Sequence, residues 1–331
     1  MRITKACCHG CGIRLNAEND SEAHIIPNAL GGRLACKGLI CRACNARLDR
    51  IADNALVQAF GAWPTLLNLS RQRGHNPSRT LDTRRGSKVR LEPDGSLTGA
   101  EVHYDVTPIV GGHKVEISAG NMKTVRQLIK RVTKQFPLVD ATSLEKHARR
   151  IKMSPGDEIK LSLDFSPRAV FGGAVSVFWL FLLARTGQAI MSWSKLVECI
   201  EAVQRHGGTF RYFVSGLPGL NGPSIDIGHK IIVRSVPSTG ELIAYLEILG
   251  VLQIGGLFAQ GPAGQTIEHV YAFDLDNQSD RSEEFTIDPI VFAEQNWRQV
   301  GLGPTDLDPI KAHLKGILSR LGAYYARRSV T

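Results

Sequence analysis

The sequence predicts an α+β chain: a small cysteine-stapled module at the front, then a larger α+β domain with an antiparallel sheet and C-terminal helices. Three observations predict it. Six of the seven cysteines fall within the first 44 residues, four of them as two Cys-x-x-Cys pairs at 8/11 and 41/44. Beyond residue 100, stretches of helical apolar period alternate with short runs of strand character broken by Gly and Pro. No internal repeat or low-complexity tract interrupts them, and such a mixture favours mainly antiparallel pairing. With 331 residues, 43% apolar and 21% charged, the chain can bury a sizeable core.

In order, Cys8-His9-Gly10-Cys11 reads as a metal knuckle whose small Gly10 lets backbone N–H groups approach the sulfurs. Cys7 could replace Cys8 only by giving up the two-residue spacing. A short strand over 23–27 ends at Pro27, and an irregular loop over 28–37 holds Gly31-Gly32. After Cys41 and Cys44, Asn45 opens a helix reaching residue 60, with Leu48, Ala52, Leu56 and Ala59 on its apolar stripe.

Residues 61–100 are dense in arginine and turn formers and read as a basic linker or a loop that tracks a phosphate backbone. Residues 102–117 are strand-like around Gly111-Gly112. An amphipathic helix follows over 121–136, with Val125, Leu128, Ile129, Val132 and Phe136 on one face and Lys123, Arg126, Lys130, Arg131 and Lys134 on the other. That basic face is either a solvated surface or a phosphate-contacting one. A strand over 158–165 precedes a hydrophobic helix spanning 169–184 and a second helix over 193–205. A strand over 209–214, a three-stranded meander over 228–259 and a strand over 269–275 follow. Helices over 288–300 and 306–328 close the chain, the second with Ile310, Leu314, Ile317 and Leu321 as its stripe.

The net charge of +9 is unevenly spread: 8 basic and 5 acidic residues in 1–60, 17 and 8 in 61–152, 15 and 18 in 153–331. The middle third therefore suits a polyanion, or carries a plain basic surface; charge alone does not choose. Clustered cysteines at metal spacing favour a bound metal over disulfides, and a reducing, cytoplasmic compartment. The N-terminus lacks the apolar core of a signal peptide. The uncharged run 169–184 falls short of the roughly 20 residues that span a bilayer, so a buried helix is expected and no membrane partner. No Walker or dinucleotide motif is present. Cys36 and Cys199 read as buried thiols.

Four thiolates in two short pairs make a closed tetrahedral site of the structural zinc type, each pair gripping one edge. With no open coordination position, such a zinc holds a module together and does no chemistry.

Cys8, Cys11, the run Ser21-Glu22-Ala23-His24-Ile25-Ile26-Pro27 with Gly31-Gly32, then Cys41, Cys44-Asn45 and Asp53, together resemble the HNH endonucleases, the ββα-metal nucleases, in their zinc-stapled four-cysteine form. The resemblance is confined to residues 8–60. It implies an N-terminal ββα-metal module in which His24 is the general base that activates water, Asn45 orients the active loop or reaches a metal, and Asp53 supplies a metal ligand. Asp49, one turn earlier, is the alternative ligand. A helix would place Asn45, Asp49 and Asp53 along one side with a drift of about 40° per step. The catalytic ion implied is Mg2+ or Mn2+, separate from the zinc, and the expected product carries a 5′ phosphate. Where the family commonly offers Asp, Glu or His before its base, this chain has Ala23; Glu22 is the substitute ligand if the strand shifts. Arg42 and Arg47 on the module and Lys123, Arg126, Lys130 and Lys134 beyond it are the candidate DNA contacts.

The resulting expectation is three segments: a zinc-stapled HNH module at 1–60, a basic linker or loop region at 61–100, and an α+β recognition or regulatory domain at 101–331. The function expected is metal-dependent cleavage of double-stranded DNA, in a setting such as restriction or anti-phage defence. A small-molecule or modified-base signal is an expected further partner, and a homodimer an expected assembly. Two other readings compete: a zinc-dependent nucleic-acid-binding protein with a degenerate site, and a nuclease released by a ligand.

Overall fold

The computed structural model describes residues 7–288 apart from 73, 101, 150–157, 214, 215 and 218, together with 308, 312, 314–316, 318 and 319. It divides into two compact units: unit 1 comprises Met1–Phe60 and Leu163–Thr331, and unit 2 comprises Gly61–Ser162. The N-terminal segment belongs to one unit with the C-terminal half.

Unit 1 begins with β1 (Ala23–His24), antiparallel to β2 (Ala35–Cys36), with Ala23 opposite Cys36 and His24 opposite Ala35. A 3₁₀ turn, Asn28–Leu30, lies between them and is capped by Gly31 in the left-handed region. The helix then starts earlier than the sequence suggested. Cys41 is extended and takes the N-cap role, its sulfur accepting from the Cys44 N–H at 3.5 Å, so α1 spans Arg42–Leu48. A π-helical stretch, Asp49–Asp53, continues into α2 (Asn54–Ala59). The expected stripe is in place: Leu48, Ala52, Leu56 and Ala59 are buried.

Unit 2 opens with the short α3 (Trp63–Leu66), then an antiparallel sheet of β3 (Arg79–Asp82), β4 (Lys88–Leu91) and β5 (Leu97–Gly99) in that order. These strands stand where the sequence reads as linker or loop. Val89 and Leu91 are buried between more exposed Lys88 and Arg90, a two-residue alternation hidden by the arginine density. The hairpin β6 (His103–Ile109) and β7 (Gly112–Ser118) and the helix α4 (Met122–Gln135) match their sequence signals, and α5 (Ala141–His147) follows. The strand expected over 158–165 is not formed. Residues 158–160 meet the end of β3 through a single bridge between Ile159 and Thr83, with Arg84 N donating to Glu158 O at 2.7 Å and Lys160 N to Asp82 O at 2.8 Å.

The chain returns to unit 1 through α6 (Pro167–Thr186), α7 (Trp193–His206), β8 (Arg211–Tyr212) and β9 (Leu220–Asn221). Strands β10 (Gly228–Ser235), β11 (Glu241–Ile248), β12 (Leu252–Gln260), β13 (Glu268–Asp274), β14 (Ser279–Asp280) and β15 (Thr286–Ile287) complete it. The main sheet is antiparallel, ordered β14-β13-β10-β11-β12-β8, and β15 pairs with β9. The strand expected over 209–214 is reduced to Arg211–Tyr212. The two closing helices read at 288–300 and 306–328 lie outside the described residues, scattered positions aside.

Helix α6 is the axis of unit 1. By length and composition it could cross a membrane, yet every residue from Ala169 to Leu183 is buried inside the protein. Its Gly172-Gly173 pair explains the close packing on both sides. A Cβ at Gly173 would sit 2.5 Å from the Leu56 Cβ, and one at Gly172 would sit 2.5 Å from the Gln204 amide. The N-terminal segment is thus welded to the C-terminal half along α2 and α6. A second weld is His229 on β10, fully buried, with Nε2 donating to the Leu30 carbonyl at 3.0 Å. Burial pushes this imidazole down to about 4, the Leu30 carbonyl opposing and Arg33 adding to the shift, so it stays neutral.

Candidate functional site

The four cysteines Cys8, Cys11, Cys41 and Cys44 converge, their sulfurs all within 4.8 Å of one another. Cys11 Sγ lies 3.7 Å from Cys41 Sγ. The edge of a tetrahedron with Zn–S bonds of roughly 2.3 Å is about 3.8 Å, so the spacing fits zinc. Backbone amides line the sulfurs: Gly10 N and Cys41 N donate to Cys8 Sγ at 3.3 and 3.2 Å. Gly10 is required by crowding, since a Cβ there would meet Cys44 Sγ at 2.6 Å and the Trp193 ring at 3.1 Å. Burial alone would raise the Cys8 thiol, but the amides of Cys11, Cys41 and Gly10 lower it to about 7. Burial and the neighbouring thiols push Cys44 up, the tension a cation at the centre relieves.

From this staple run the two elements that carry the other candidates. Residues 19–21 pair with 40–42: Ser21 N donates to Ile40 O at 3.2 Å and Arg42 N to Asn19 O at 2.8 Å. The ribbon continues into β1 and β2, which sets His24 three residues beyond the pairing with the zinc loop. Burial alternates along it. Ser21, Ala23 and Ile25 point into the core, Ala23 being 0% exposed, while Glu22 and His24 are half-buried on the other side. The methyl of Ala23 is a core contact, and Glu22 is the carboxylate on the side of His24.

On the helix, Asn45 is half-buried and Asp49 exposed. The π turn changes the placement of Asp53. Asn54 N bonds to Asp49 O, a five-residue step, and Gln204 from α7 donates to Ile51 O at 2.8 Å within the turn. Each residue advances less around the axis than in an α-helix, so Asp53 departs from the drift expected of a regular helix. The residue is half-buried, and of its carboxyl Oδ1 is buried and without a hydrogen-bond partner. Burial raises it to about 6, Asp49 adds to the rise, and the Ser176 hydroxyl on α6 opposes it without completing a bond to Oδ1.

An acid whose folded pKa is raised loses stability as pH climbs from its unfolded value to its folded one, here from 3.8 to about 6, and stays destabilised above. Replacing Asp53 by Asn in protein free of added divalent ions should therefore raise stability at pH 7 to 8 by about 1 to 3 kcal/mol. At pH 4 the gain should vanish, as thermal melts at the two pH values would record.

An orphaned buried carboxylate oxygen is a suitable donor for a hard divalent ion. Among the described residues, however, the group of three or more Cys, His, Asp or Glu side chains gathered at metal distance is the four-cysteine one, and Glu22, His24, Asp49 and Asp53 do not form a second. Of the candidate nucleic-acid contacts, Arg42 is exposed with Nε donating to Asp20 O at 3.3 Å, and Arg47 is exposed over the Trp193 ring at 5.9 Å. In unit 2, Lys123, Arg126, Lys130 and Lys134 are all exposed on α4. Arg126 is engaged by Glu145 at 2.5 Å, and the neighbouring Arg131 stacks on Tyr104 at 4.4 Å.

Sequence reasoning missed Ser176, Gln204 and Trp193, which reach the segment from α6 and α7, and His229, which reaches it from β10. A hydroxyl inside an otherwise apolar helical run was the one signal available for Ser176. No curated protein and no solved structure matches the chain. A family model does: residues 8–61 match the model of the HNH endonucleases, and the match is confined to that segment.

Proposed function

We propose that this protein is a metal-dependent endonuclease that hydrolyses phosphodiester bonds in duplex DNA, with a structural zinc at Cys8, Cys11, Cys41 and Cys44. The observation that carries the reading is the HNH match over the segment whose four cysteines converge, since that staple ties the strand bearing His24 to the helix bearing Asn45 and Asp53. The His24 imidazole takes the proton from a water molecule, the water oxygen attacks phosphorus, and the 3′ oxygen departs, leaving a 5′ phosphate. A bound Mg2+ or Mn2+ would supply Lewis-acid stabilisation of the charge on the phosphoryl and leaving oxygens. Asp53 is the first donor for it, with Asn45, Asp49 and Glu22 completing the candidate set. Incubating supercoiled plasmid with the protein and Mg2+ or Mn2+ should give nicked or linear product, and background levels of product with both ions would sink the reading.

A second reading has its own support: Ala23 places a buried methyl where the family commonly has a ligand, which suits a zinc-stapled binding module that no longer cuts. Retardation of duplex DNA without cleavage would favour it. In either version α4 contributes phosphate contacts. Reversing Lys130 and Lys134 to Glu should weaken DNA binding and reduce the slope of log affinity against log salt by about 2, one phosphate per lysine. An unchanged slope would return α4 to a solvated surface.

A further inference from the structure

The matched segment does not contain everything that shapes its helix. Ser176 lies in the middle of α6, within a run buried from Ala169 to Leu183, and its hydroxyl is wholly enclosed with no hydrogen-bond partner. An unsatisfied buried hydroxyl is unfavourable, and alanine would pack there without it. What the hydroxyl faces is the Asp53 carboxyl, whose charged form it favours as a hydrogen-bonding neighbour while Oδ1 itself stays without a partner. Gln204 shows the same logic: its amide reaches into the π turn to bond Ile51 O at 2.8 Å, and Gly172 leaves the room it needs. Both side chains are directed at the π turn Asp49–Asp53, the turn that sets Asp53.

We propose that Ser176 and Gln204 are positioning residues of the nuclease site: Gln204 fixes the wide turn at Ile51, and Ser176 orients the Asp53 carboxyl to receive a divalent ion. The site is then assembled from both ends of unit 1, with α6 and α7 supplying what residues 8–61 lack. Partners of metal ligands that do not themselves touch the metal commonly govern affinity by this route. The inference rests on the nuclease reading for the identity of the site.

The test uses the full chain with its zinc in place, Mn2+ as the probe, and calorimetric Mn2+ binding beside plasmid nicking. Ser176→Ala and Gln204→Met should each weaken Mn2+ binding about tenfold or more, with zinc content and melting temperature close to wild type. Ser176→Thr, which keeps the hydroxyl, should retain binding. In an Asp53→Asn background, Ser176→Ala should change nothing further, which a general packing role would not produce. Cleaving wild-type protein whose Mn2+ binding ignores both substitutions would overturn the inference and keep the nuclease reading. Mn2+ binding that depends on Ser176 without any cleavage would support the positioning role and overturn the reading. Wild-type protein that neither binds Mn2+ nor cuts would overturn both.

Discussion

Replacing His24 by alanine should reduce Mg2+- or Mn2+-dependent cleavage by about 10²- to 10⁴-fold, the usual worth of a positioned general base. It should do so without disturbing the fold. His24 is half-buried at the end of a two-residue strand, and its backbone pairs with Ala35. Zinc content and melting temperature should therefore stay at wild-type values. An imidazole ring nitrogen can accept a proton from water, and a methyl group cannot. The discriminating measurement is single-turnover nicking of plasmid at saturating Mn2+, wild type against variant. Equal rates would mean that His24 activates no water, whatever the family resemblance suggests. Loss of cleavage together with loss of zinc would place the histidine in the scaffold instead.

The parts of this site that were legible in the sequence are those fixed by local spacing. Two Cys-x-x-Cys pairs announce a tetrahedral centre because two intervening residues suit one edge of a tetrahedron, and the sulfurs do converge. The stripe Leu48, Ala52, Leu56 and Ala59 is buried as its period required. The hairpin over β6 and β7 and the meander over β10 to β12 follow from glycine-punctuated alternation. What stayed hidden depends on distant partners. The π turn at Asp49–Asp53 has no sequence signature of its own; a glutamine 153 positions further on completes it. That Ala23, where the family commonly offers a ligand, is fully buried on the core side of its strand was also beyond the sequence. The strands at 79–99 were hidden because their basic residues, Lys88 and Arg90 on β4 among them, imitate a loop.

The zinc staple should matter more to stability than its size suggests, because of what it anchors. Removing one ligand by Cys44→Ser leaves three thiolates and opens the centre, and structural zinc in small modules is worth on the order of 10 kcal/mol. Here the cluster is the far end of a continuous core. Cys44 and Leu48 lie on α1, Leu56 on α2 packs against Gly173 of α6, and α6 lies buried at the heart of unit 1. Nearer still, Gly10 sits against Trp193, which stacks edge-on with Trp179 of α6 at 5.8 Å. Loosening the staple should therefore free the helix from its N-cap at Cys41 onward and carry the loss into the C-terminal half. We expect Cys44→Ser to cost at least about 5 kcal/mol, a fall in melting temperature of about 10 to 20 °C for a unit of this size, with substoichiometric zinc and early proteolysis within residues 7–60. Cys36→Ser, outside the cluster, should keep full zinc and a melt within a few degrees of wild type. A Cys44→Ser protein with stoichiometric zinc and an unshifted melt would mean that the converging sulfurs are not the metal centre, and that the weld along α2 and α6 holds the segment without it.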